Sequence, residues 1–149
     1  MQVLKQTFPG GMVTKTEIDG FEIITDYPIE LGGENKYPKP WSLFLSTVTS
    51  CHGVHVLQYC IENNIPYDKI YLTLDIVEDP EHGEGKYTDF IIKDHLPEDF
   101  PEEHIVPMLK ETSEDCWINR HLTIYDVKVH FDVIPADGEV KSVVLGGDK

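Results

Sequence analysis

From Pro40 to Glu62 the chain reads as one long helix with apolar residues on nearly every side, and no other segment limits the fold so strongly. Leu43, Phe44, Leu45, Val48, Cys51, Val54, Val56, Leu57 and Ile61 wrap most of its circumference. A helix apolar all round belongs at the centre of a domain. Pro40 suits the first turn, and Asn63-Asn64 followed by Pro66 stops the helix. Gly53 weakens a helix interior, so its presence predicts a close neighbour there. At 149 residues the chain is long enough for one domain, residues 1–149, to bury a core around this helix.

The flanks read as strands. Gly10-Gly11 marks a turn, and Asp19-Gly20 separates Met12–Ile18 from Phe21–Thr25. An Asp-Gly pair between two β-prone runs signals a hairpin, so the chain is expected to open with three strands. Residues 31–40, rich in Gly and Pro, form a loop. Beyond the helix, Ile70–Val77 and Tyr87–His95 form a second predicted hairpin across an acidic turn. A second helix is predicted from Pro101 toward Glu114, with Pro107 weakening it and Cys116 just past its end. Leu122–Ile134 alternates as a long strand, and the tail after Pro135 reads as loose apart from Val143-Val144-Leu145. Antiparallel strands with segregated helices define an α+β fold, an antiparallel sheet with a central buried helix.

Charge narrows the function classes. Twelve basic against 27 acidic residues give a net charge of −15. Nucleic-acid and anionic-membrane binding both draw on Lys and Arg, so neither partner is expected. No secretory signal and no membrane-spanning run are visible, which predicts a cytoplasmic protein. Three widely spaced cysteines do not form a secreted disulfide framework.

Those cysteines carry the candidate chemistry. Cys51 is either a small buried hydrophobe or half of a redox pair, with Cys116 as the other half. A reactive thiol works as its thiolate, which a nearby cation favours; His55, one turn on and on the same helix face, is the local candidate. Cys60, nine residues from Cys51, points to the opposite side of the helix and reads as core. Cys51, His52, His55, Cys116 and His121 offer mixed zinc-ligand types without a familiar spacing, and no metal or cofactor is expected. Trp41 and Trp117 are core or interface residues, or walls of an apolar pocket around the thiol. Glu78, Asp79, Glu81, His82 and Glu84 read as a solvated turn. His95, His104 and His130 have no partner visible in the sequence.

The element order, a first Cys within a central apolar helix and a second Cys after the next helix resemble the OsmC/Ohr family of thiol-dependent hydroperoxide reductases. Pro40-Trp-Ser-Leu-Phe-Leu-Ser-Thr-Val-Thr-Ser-Cys51 is similar to the family's lead-in to its reactive Cys, and Cys116-Trp-Ile-Asn resembles its second-Cys segment. The resemblance implies an OsmC-like domain, an intertwined homodimer and a peroxiredoxin-like role in oxidative stress. It implies Cys51 as the peroxidatic thiol and Cys116 as the resolving thiol, acting on organic hydroperoxides. This chain has Trp41 where the family's peroxidases carry Glu, and Trp117 where they carry Pro. Its single arginine, Arg120, follows the second Cys, whereas theirs lies in the N-terminal strands. The alternative is a non-catalytic protein of the same fold that binds a small apolar ligand around Cys51.

Overall fold

A computed structural model describes residues 4–81, 87–122, 128–136 and 138–145. The chain divides into two compact units, residues 1–46 and 47–149.

The first unit is built on a three-stranded antiparallel sheet of β1 (Lys5–Gly10), β2 (Val13–Ile18) and β3 (Phe21–Thr25), in that order. The hairpin signal at Asp19-Gly20 is realised: Ile18 pairs with Phe21, and the two linking residues have φ of 51° and 82°. Two left-handed residues are what a two-residue turn needs to match strand twist. The following loop contains one 3-10 turn, Ile29–Leu31, closed by Gly32 at φ 85°. Asp26 organises this loop. Its Oδ1 accepts the Tyr27 N–H at 2.7 Å, and its Oδ2 accepts those of Glu34 and Lys36, each at 3.1 Å. The backbone N–H of Lys36, joined by those of Tyr27 and Glu34, holds the Asp26 carboxyl below its ordinary range against the opposing effect of burial.

Helix α1 (Pro40–Glu62) starts in the first unit and continues through the second. Its buried residues form one stripe, Val48, His52, Val56, Tyr59 and Cys60, while Val54, Leu57 and Ile61 are exposed. The helix is thus core-facing along one side of this chain. Gly53 has only an ordinary neighbour: a Cβ built there would lie 3.7 Å from a Leu72 methyl.

The second unit holds a four-stranded sheet, ordered β4 (Tyr71–Glu78), β5 (Tyr87–His95), β6 (Lys128–Ile134) and β7 (Lys141–Leu145). The predicted β4–β5 hairpin pairing is present and antiparallel, as is β6–β7. β5 and β6 are parallel, which requires a crossover, and α2 (Glu102–Asp115) and α3 (Trp117–Leu122) provide it. Buried Phe90, Ile92 and Asp94 on β5 lie beside buried Val129, Phe131 and Val133 on β6. α2 adds Ile105, Met108 and Leu109 to the core.

Two sequence expectations are corrected. The long strand from Leu122 does not begin there, because Leu122 ends α3; residues 123–127 lie outside the described residues, and β6 begins at Lys128. The tail after Pro135 is also more ordered than expected, since Lys141–Leu145 pairs with β6 as an edge strand. Among the described residues, no helix is long and apolar enough to cross a membrane.

Candidate active site at two thiols

Helix α1 carries Cys51 half-buried, and Cys116 sits at the junction of α2 and α3, fully buried. At Cys116 the backbone leaves helical geometry, with φ −66° and ψ 100°. The N–H groups of Asn119 and Ile118 lie where they favour its thiolate, and its carbonyl accepts the Arg120 N–H at 3.0 Å. A cysteine here does what serine or aspartate does at other helix starts.

Cys51 stands close enough to Cys116 to raise its thiol, and neither cysteine is in a disulfide. Burial is the main cause that pushes the Cys116 thiol up to about 12, and the neighbouring Cys51 adds to it. The Asn119 and Ile118 N–H groups act in the opposite sense, favouring the thiolate. Cys60 is buried as expected for core, and its thiol is raised by burial and then by Asp94.

The other candidates are more dispersed. His55 is half-buried, and no hydrogen bond joins it to either thiol among the described residues. His121 places Nδ1 2.9 Å from the Trp117 carbonyl and its ring 4.1 Å from the indole. Trp117 is 67% exposed, so in this chain it does not enclose the thiols. Trp41 stacks on Phe44 at 5.0 Å. Among the described residues, no three metal-ligating side chains cluster. His82 and Glu84 of the acidic turn lie outside the described residues. His95 and His104 do have partners, Thr73 and Tyr59, each at 2.9 Å; His130 bonds Asp89.

Sequence reasoning named His52 only among possible metal ligands and missed its pairing with Asp94. His52, next to Cys51, is fully buried, with Nε2 2.9 and 3.0 Å from the two oxygens of buried Asp94. Its ring lies 4.9 Å from that of Phe131. His52 shares a helix stripe with Val48 and Val56, and Asp94 follows Phe90 and Ile92 in strand alternation. A polar residue in each of two apolar patterns was the available signal.

The arrangement is that of a mixed α+β domain with paired thiols between its first long helix and the next helical junction. The family model for OsmC-like protein matches residues 33–133, and the chain belongs to that family. An OsmC-like protein from Mycoplasma pneumoniae shares the fold with TM-score 0.71 and 15% identity, covering 91% of this chain and 96% of that one. An organic hydroperoxide resistance protein from Elizabethkingia anophelis gives 0.61 at 15%, covering 93% and 96%. The Legionella pneumophila organic hydroperoxide resistance protein OsmC gives 0.58 at 16%, covering 91% and 94%. Compared by sequence with curated proteins, the chain matches none.

Proposed function

We propose that this protein is a thiol-dependent reductase of organic hydroperoxides, with Cys51 as the attacking thiol and Cys116 as the resolving one. The observation that carries this reading is a pair of free thiols of unequal access, Cys51 half-buried and close enough to influence buried Cys116. The organic hydroperoxide resistance named for structural relatives gives the substrate class.

Unequal access sets the order of events. Cys116, buried and protonated up to about 12, is a poor nucleophile at neutral pH. Cys51 is the sulfur a hydroperoxide reaches first. Its thiolate attacks the terminal oxygen of R–O–O–H; the S–O bond forms and the O–O bond breaks. The departing alkoxide takes a proton to become R–OH, leaving a sulfenic acid on Cys51. The Cys116 sulfur then attacks the Cys51 sulfur, and the S–O bond breaks. Water leaves with the Cys116 proton, and a disulfide remains. The Ile118 and Asn119 N–H groups favour the charge on Cys116 as that proton departs. In sum, two thiols and one hydroperoxide give a disulfide, an alcohol and water.

One surface supports a homodimer in the same proposal. Val54, Leu57, Ile61, Tyr67 and Tyr71 are exposed on α1, β4 and the segment between them. Val54, Leu57 and Tyr67 line part of an apolar hollow of about 340 Å³. Contiguous apolar surface of this kind marks an interaction site.

Titration of thiols before and after one equivalent of cumene hydroperoxide tests the redox reading. Two of the three thiols should disappear in the wild-type protein, and Cys51→Ser should prevent it. Three unchanged thiols in the wild-type protein would refute the activity and leave the ligand-binding alternative ahead.

A further inference from the structure

A buried polar atom without a hydrogen-bond partner is unfavourable by the full desolvation penalty, so folded proteins keep very few. Among the described residues three such side-chain atoms occur: His52 Nδ1, Asn119 Nδ2 and Asn119 Oδ1. Both residues are fully buried. They are not scattered. His52 follows Cys51 in α1, and the backbone N–H of Asn119 lies where it favours a charge on the Cys116 sulfur, which Cys51 also influences. The orphaned atoms thus belong to the two residues that flank the paired thiols.

Other buried polar side chains are satisfied. Thr112 donates to the Met108 carbonyl at 2.8 Å, Ser113 to that of Lys110 at 2.9 Å, and Asp26 accepts three N–H groups. The exceptions fall on residues within three positions of Cys51 or Cys116. Their chemistry is also specific. With Nε2 turned to Asp94, Nδ1 is the ring nitrogen left to take part in a further hydrogen bond. The Asn119 carboxamide offers both a donor and an acceptor. A hydroperoxide group, with one O–H and two oxygens, both donates and accepts.

We propose that His52 Nδ1 and the Asn119 carboxamide are the polar half of a substrate site, holding the –O–O–H group of a hydroperoxide against Cys51. This rests on the redox reading above. The Asn119 Nδ2–H would donate to the oxygen that departs, while Asn119 Oδ1 or His52 Nδ1 takes up the hydroperoxide O–H. Binding would give these buried atoms hydrogen-bond partners.

Two variants delete the orphaned atoms, the second at the cost of one amide oxygen of its own. Asn119→Leu keeps the side-chain shape and removes both. His52→Gln keeps a donor for Asp94 and removes Nδ1. The rate of Cys51 oxidation by cumene hydroperoxide is measured beside the rate of its alkylation by iodoacetamide, which needs no such cradle. Each variant should lose about tenfold to a hundredfold in the peroxide rate, as expected for lost hydrogen bonds to a charged group. The alkylation rate should stay within about twofold, and Asn119→Leu should melt at the wild-type temperature or above it. A structural role predicts the reverse: a lower melting temperature, with both rates falling together or neither falling. Either pattern, or a wild-type peroxide rate in both variants, overturns the proposal. Failure of the wild-type protein to lose thiols is a different result, and it removes the redox reading itself.

Discussion

Asp26 and Asp94 are both buried carboxylates, at 0% and 1% exposure, but their surroundings differ in range and completeness. Asp26 is closed by its own loop, taking N–H groups from Tyr27, Glu34 and Lys36. Asp94 turns both oxygens toward one ring nitrogen, that of His52, which lies 42 residues away in sequence. The other ring nitrogen has no partner among the described residues. A local clasp can satisfy every group it buries, because neighbouring backbone N–H groups are at hand. A long-range pair, next in sequence to Cys51, leaves one group unmatched. The contrast separates burial that closes a loop from burial that joins distant segments.

The largest effect expected from this contrast is at Asp94. Asp94→Ala leaves His52 buried with neither nitrogen paired. Removing one partner of such a pair destabilises a protein by about 3–5 kcal/mol, measurable by urea unfolding. Changing both partners, His52→Leu with Asp94→Leu, should recover most of that loss, since a packed apolar pair replaces two polar groups. If the double variant were as unstable as Asp94→Ala, the cost would not come from an uncompensated partner, and the comparison would break.

A smaller effect is expected at the loop around Asp26. A Cβ on Gly33 would fall 1.8 Å from the Tyr27 carbonyl oxygen and 2.8 Å from Asp26 Oδ1. Gly33→Ala must therefore displace the backbone that the carboxylate holds, at about 1–3 kcal/mol. Because it opens the same clasp as Asp26→Asn, the two together should be less destabilising than the sum of the single changes. Full additivity in thermal unfolding would mean that loop and carboxylate are independent, contrary to the hydrogen bonds seen.

Local signals were the ones the sequence revealed. Asp19-Gly20 announces its hairpin because left-handed backbone is a property of two residues. β4 and β5 alternate along their own length, so their pairing was visible too. The parallel neighbour β6 was not, because parallel pairing depends on where a crossover delivers the chain. Nor was α3, only six residues long and started by a cysteine sulfur in place of a usual capping side chain. The same divide holds at the site. Cys51 and Cys116 stood out through a resemblance, but nothing in their 65-residue spacing says that the sulfurs meet. His52 and Asp94 were legible in part, as polar residues at core positions, whereas Asn119 lies in the short helix that was itself missed.

The smallest expected effect sharpens the comparison through pH, since the two regions should fail at opposite ends of the scale. Asp26 has its folded value lowered, so its contribution is present above the unfolded value, about 4, and is lost as acid protonates it. Cys116 has its folded value raised to about 12. Its contribution is complete below the unfolded value, about 8.5, and declines as pH rises from there toward 12. Within that window the unfolded chain loses a proton that the folded chain keeps. Stability should therefore fall by at most about 1.4 kcal/mol per pH unit from this group. Cys60, also raised, adds to the same limb, so the readout is a difference between variants. Cys116→Ser retains a helix-capping oxygen but has no thiol to titrate, and its urea midpoint should decline less steeply above pH 9 than that of the wild-type protein. Both should behave alike near pH 4, where Asp26 dominates the contrast. Parallel alkaline limbs in the two proteins would mean that Cys116 ionises as readily folded as unfolded, and the burial on which its proposed place as second thiol rests would have to be given up.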